Sequence, residues 1–160
     1  MKKIIFLTPR HKNSRAQYDF LFPIFKCEKY LKDIGFKIEI ADRLSGNLND
    51  CDLLCVLSTC LRYYQKDSKY MQQLESIISK TNQTFFFDIS DSAGIIYEKG
   101  LDICSKYFKK QKYYDQKFIF NKSTLEPRMH FDYHIKNNDC ENIKNDIPDN
   151  YSHLKIQDIN

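Results

Sequence analysis

The chain predicts an α/β fold: a Rossmann-like three-layer domain with a mainly parallel sheet of four to five strands. Three observations lead there. Residues 84–94 read Thr-Phe-Phe-Phe-Asp-Ile-Ser-Asp-Ser-Ala-Gly, an apolar run that ends abruptly in carboxylates, hydroxyls and a glycine. Apolar residues on both faces mark a strand buried in a parallel sheet, and its polar exit marks the carboxyl edge where open α/β folds bind ligands. A strand–helix–glycine–strand unit at the start implies a right-handed crossover. The length of 160 residues suits one core.

The elements follow in order. Lys3 to Leu7 reads as the first strand, and Pro9 to Asn13 as a polar loop. Ser14 with Gln17 forms a capping box, or Asp19 caps a helix starting slightly later. Pro23 favours the second choice, since it then falls in the first turn, where its missing N–H costs least. Phe20, Ile24, Cys27, Leu31 and Ile34 recur at helical spacing, and Gly35 stands where a left-handed C-cap is expected. Phe36 to Ala41 is the second strand, and Cys51 to Leu57 the third, with Ser58 and Thr59 at its exit. Asp67 or Ser68 caps a second helix with Tyr70, Leu74, Ile77 and Ile78 inward. Thr84 to Phe87 is the fourth strand, and Leu101 to Tyr107 is expected as a short fifth. Residues 1–136 form the predicted domain. From Asn137 to Asn160 the chain is polar and reads as a linker or disordered tail.

Composition narrows the function. The formal charge of +4 is too mild for a dedicated nucleic-acid binder. No apolar run is long enough to span a bilayer. The basic start Met1-Lys2-Lys3 is followed by a run that stops at Thr8-Pro9-Arg10 without a cleavage site, so a cytoplasmic protein is expected. The six cysteines match no paired spacing and are expected reduced, with Cys27, Cys55 and Cys104 in apolar surroundings.

Four groups of residues carry possible chemistry. Asp88, Ser90, Asp91 and Ser92 follow strand four; a carboxylate there can act as a base or bind sugar hydroxyls, and equally can cap a turn. Arg10 and His11 leave strand one, His11 as a candidate base near neutral pH and otherwise a solvated loop residue. Lys106, Lys109, Lys110, Lys112, Lys117 and Lys122 interleave with aromatics. That pattern reads first as a solvated helix face with its rings turned inward, and second as an anion site. His130 and His134 stand four apart, but no further pair completes a zinc set, so no metal and no cofactor is expected.

Taken in order, Phe87-Asp88-Ile89-Ser90-Asp91-Ser92, then Asp102 with Tyr107-Phe108-Lys109-Lys110-Gln111 and Asp115, then Arg128 with Asp132-Tyr133-His134, resemble the N-terminal half of bacterial GT-B glycosyltransferases of surface-polysaccharide gene clusters. The resemblance spans roughly residues 1 to 136. It implies the acceptor-side domain of a transferase that moves a sugar from a nucleotide donor to a glycan or lipid-linked acceptor. Asp88, Asp91, Lys109, Lys110, Arg128 and His134 would line or support the interdomain cleft. Chemistry, not the family, nominates Asp91 as base, with Asp88 and His11 as further catalytic candidates; Ser90, Ser92 and Arg10 join the binding set. Such enzymes run to more than twice this length. Donor and acceptor binding is therefore expected only with a C-terminal domain or a separate partner half, and the chain alone is expected inactive. The rival reading is a non-catalytic Rossmann-like binding or interaction module.

Overall fold

The computed structural model describes residues 1–8, 15–64, 67–90 and 96–110. Five parallel strands form one sheet: β1 (Lys2–Leu7), β2 (Phe36–Ala41), β3 (Leu53–Leu57), β4 (Thr84–Asp88) and β5 (Lys106–Lys109). Their order is β2-β1-β3-β4-β5, and every pairing is parallel. This is the doubly wound, Rossmann-like three-layer architecture expected from the sequence. It fixes an architecture and not an activity.

Strand alternation sorts the core into two layers. On one face, Ile5, Leu7, Leu54, Val56, Phe86 and Tyr107 pack against α3 (Ser58–Tyr64), α4 (Ser68–Ile78) and α5 (Glu98–Ile103). On the other, Phe6, Cys55, Leu57 and Phe87 meet Ala16, Phe20, Leu21 and Ile24 of α1 (Arg15–Lys26). Aromatic rings knit this second layer: Phe20 lies 5.3 Å from Phe87, and Phe87 stacks on Phe108 at 5.1 Å. Each such pair adds about 0.5–1.5 kcal/mol beyond its buried area.

Several local expectations are corrected. The first helix begins at Arg15, before Asp19, so Pro23 lies inside it and not in its first turn. Packing of Phe20, Leu21 and Ile24 on the sheet outweighs the hydrogen bond that proline cannot donate. The helix turns at Cys27, whose N–H still reaches Pro23 O at 3.0 Å, and resumes as α2 (Glu28–Asp33). Cys27 is exposed, not apolar-packed, and Tyr70 is exposed on α4. The expected fifth strand over Leu101 to Tyr107 divides instead into the end of α5 and the start of β5. α3, starting directly at Ser58, was not foreseen.

Other signals are matched in the structure. Gly35 closes α2 with a φ of 93°, the left-handed conformation that favours glycine. Asp67 caps α4, accepting from the N–H groups of Lys69 at 2.9 Å and Tyr70 at 3.4 Å. Among the described residues, no helix is long and apolar enough to cross a membrane.

At the amino end of the sheet, backbone and charge close the rim. Lys3 N donates to Asp52 Oδ2 at 2.6 Å, and Lys3 Nζ lies 3.3 Å from Glu39. The carboxyl rim is built differently.

Candidate functional site

Register explains why Asp88 acquires its partners. Phe86 pairs with Tyr107, and Asp88 with Lys109, across the β4–β5 ladder. Residues two apart on a strand share a face, so Asp88, Tyr107 and Lys109 all point toward the α5 side. Asp88 is 1% exposed, and the side chains of Asp88 and Lys109 are 0% exposed.

The Asp88 carboxylate accepts four hydrogen bonds. Oδ2 receives Lys109 Nζ and the Tyr107 hydroxyl, each at 2.8 Å. Oδ1 receives Ser90 N at 3.0 Å and Ser90 Oγ at 2.6 Å. The Tyr107 oxygen also accepts from Tyr97 N at 3.1 Å, which ties the start of α5 to the ends of β4 and β5. Lys110 N donates to Asp88 O at 2.9 Å. One carboxylate thereby fixes two strand ends, one turn and, through Tyr107, one helix start.

The electrostatics follow from burial. Desolvation pushes the Lys109 ammonium below its ordinary range, while Asp88 pulls in the opposite direction without cancelling it. Burial, with the Asp88 charge adding to it, raises the Tyr107 phenol well above its usual value. Tyr107 therefore stays protonated and serves as a donor to Asp88. This arrangement surrounds the buried Asp88 carboxyl with four donors, enough to engage all its acceptor positions. It is built for rigidity more than for proton transfer.

The neighbouring strands bring hydroxyls to the same rim. Ser58, first residue of α3, accepts from Ile89 N at 3.2 Å. Thr8 follows β1, with its N–H on Ala41 O at 2.9 Å. Thr8 and Ser58 are 2% and 3% exposed. Thr8 Oγ1 and Thr59 Oγ1 are buried without a hydrogen-bond partner among the described residues.

The structure therefore unites Asp88, Ser90 and Lys109 in one network, with Lys110 joined through its backbone. The expectation of a solvated helix face for the basic aromatic segment fails for its first part. Lys106 to Lys109 is a strand, Tyr107 is in the core, and Lys109 is buried on Asp88. The preference of aromatics for a sheet outweighs the helical spacing of the lysines. Asp102 is exposed on α5. Arg10, His11, Asp91, Ser92, Arg128 and His134 lie outside the described residues, as does Cys140. Thr8, Thr59, Tyr97 and Tyr107 were not singled out as site residues. Only the position of Thr8 and Thr59 at strand exits offered a signal.

Cysteine chemistry is muted. Burial raises the thiols of Cys55 and Cys104 to about 12, and Cys60 also upward, which leaves them poor nucleophiles at neutral pH. Among the described residues, no group of three or more His, Cys, Asp or Glu gathers to hold a metal ion.

Comparison with known protein families, with curated proteins and with solved structures found no match to this chain.

Proposed function

We propose that this domain is the acceptor-side half of a glycosyltransferase-like protein. In this reading it works with a nucleotide-sugar-binding domain, in the same or a second polypeptide, to transfer a sugar onto a glycan or lipid-linked acceptor. The observation that carries the reading is the carboxyl rim of the sheet. Residues from two of the three motif segments, Asp88 and Ser90 from one and Lys109 from the next, meet there, with Ser58 bonded to the neighbouring Ile89 N. Crevices at this edge are where open α/β sheets hold ligands.

The roles divide by burial. Asp88, saturated by four donors, acts as a positioning residue that fixes the Asp88–Ser90 turn. Asp91, next in sequence, is assigned as the base that takes the acceptor's proton, the task a carboxylate performs in an inverting transfer. Lys109 neutralises Asp88, so the site keeps a charged anchor without a net charge in its floor.

The test is sugar transfer by the chain, by the polypeptide encoded immediately downstream, and by their mixture. Product is expected only from the mixture, and Asp91→Asn is expected to abolish it. Transfer by this chain alone refutes the division of labour. Silence in all three, with a panel of nucleotide-sugars, refutes the transferase reading.

One observation favours the rival, a non-catalytic interaction module. The best-formed polar feature of the rim is engaged in holding the fold together. In that case Asp91→Asn leaves every partner interaction unchanged, and the downstream polypeptide binds without turnover.

A further inference from the structure

α1 carries aromatic residues on two of its sides. Phe20, with Leu21 and Ile24, packs on the sheet. Tyr18, Phe22 and Phe25 recur at intervals of four and three along a second side and are 41–60% exposed. The rings of Tyr18 and Phe22 lie 5.5 Å apart, so the stripe is continuous. Tyr30, on the following α2, is exposed as well. Single exposed apolar side chains are ordinary, whereas a contiguous stripe marks a surface that meets a partner.

Positive charge gathers around this stripe. Lys26 Nζ stands 5.3 Å from the centre of the Phe22 ring, over its face. Arg15 lies one turn before Tyr18 and pairs with Asp19 at 3.7 Å. Lys29 and Lys32 are exposed on α2. Residues 10–33 hold six Lys and Arg against three acids, an excess of three in a chain whose formal charge is +4. Arg10 and Lys12, which lie outside the described residues, enter that balance for their charge alone.

A second copy, a single-stranded nucleic acid and an anionic bilayer are the occupants an aromatic, basic face can take. The cores of protein interfaces are depleted in lysine, yet Lys26 stands over the middle ring of the stripe. Strand binders line a groove whose charge tracks the backbone, and one side of a helix is no groove. At a bilayer surface both kinds of side chain are satisfied together. Aromatic rings enter the headgroup boundary, while lysine lays its stem along apolar surface and sends its ammonium to lipid phosphate. We infer that the outer side of α1 docks on an anionic lipid bilayer, with Tyr18, Phe22 and Phe25 entering the headgroup region and Lys26 meeting lipid phosphate. The helix lies on the membrane and does not span it, since its 12 residues fall well short of the roughly 20 a span requires. This goes beyond the transferase reading and does not rest on it.

The test is flotation of the full chain with vesicles of phosphatidylcholine, with and without phosphatidylglycerol. The chain is expected to float with the anionic vesicles, to stay behind with the neutral ones, and to be released as salt screens the attraction. Phe22→Ser combined with Phe25→Ser is expected to weaken binding about tenfold, as the apolar area it removes is lost to the bilayer. Lys26→Gln combined with Lys29→Gln is expected to weaken it about thirtyfold. The lysine pair reports on the face if the phenylalanine pair fails to fold, which far-UV circular dichroism reveals. Equal flotation with both kinds of vesicle overturns the inference, as does unchanged binding in the lysine pair or in a folded phenylalanine pair. Failure to float with anionic vesicles overturns it too. Sedimentation velocity and binding to oligothymidylate then show whether a second copy or a nucleic acid takes the face instead.

Discussion

Replacing Lys109 by methionine isolates the ion pair whose two side chains are fully buried among the described residues. Methionine fills most of the same volume, one atom shorter, and removes the charge, leaving Asp88 1% exposed with its Lys109 bond gone. Tyr107 and Ser90 still donate, but among the described residues no counter-charge remains in contact with Oδ2. Stranding one member of a buried pair costs about 3–5 kcal/mol. A domain of this size has about 5–15 kcal/mol in total, so the variant should lie near the edge of unfolding. Urea denaturation followed by far-UV circular dichroism measures the loss. Asp88→Asn combined with Lys109→Met removes both charges and should lose less than the two single variants added together. The cycle would then give a favourable coupling of about 1 kcal/mol or more. A loss below about 1 kcal/mol for Lys109→Met, or strict additivity in the cycle, would refute a buried and mutually dependent pair.

Three further outcomes follow from the same geometry. Tyr107→Phe removes a hydrogen bond to a charged acceptor and leaves Tyr97 N without that oxygen. It should cost about 1.5–3 kcal/mol, and native-state hydrogen exchange should quicken at the Tyr97 amide while β1 amides stay protected. Gly100→Ala places a Cβ 2.9 Å from Phe86 ring atoms, and Phe86 is 0% exposed. Overpacking of about 1–3 kcal/mol should exceed the roughly 1 kcal/mol gained in helix propensity, so a raised Tm contradicts the packing of α5. For pH, the folded thiols of Cys55 and Cys104 ionise near 12 against an ordinary 9.0. Their contribution is complete below pH 9 and is lost as pH rises toward 12, about 1.4 kcal/mol each by pH 10. Lys109, whose folded pKa is lowered, acts in the opposite sense below 10.5. The clean reading is therefore the difference between wild type and Cys104→Val, whose stability should fall less between pH 7.5 and 10.

The strands were legible because burial in a parallel sheet leaves an apolar signature that few alternatives share. Leu53–Leu57 and Thr84–Asp88 illustrate this. Gly35 and Asp67 were legible for stereochemical reasons, a positive φ and a cap. The boundary between α5 and β5 was not, since Leu101, Ile103 and Cys104 suit a helix face as well as a strand. That error concealed the ion pair: a strand ending at Tyr107 leaves Lys109 beyond the ladder, whereas one running to Lys109 sets it opposite Asp88. The split of α1 from α2 falls at exposed Cys27, four residues after Pro23, and the helical spacing that runs from Phe20 to Ile34 does not mark it. Thr8 and Thr59 resemble the hydroxyl residues at any strand exit, and only the burial of their hydroxyls without a partner among the described residues distinguishes them.

The acceptor-side reading turns on which end of the sheet meets the acceptor. Amide chemical shifts of the full chain, recorded while titrating methyl pyranosides and short glucan and galactan oligosaccharides, read this out residue by residue. The perturbed amides should be those of Thr8, Ser58 to Cys60 and Asp88 to Ser90. Gly35, Asp52, Gln83 and Ser105, which close the opposite rim, should stay in place. Shifts confined to that opposite rim, or none at any residue, would contradict it.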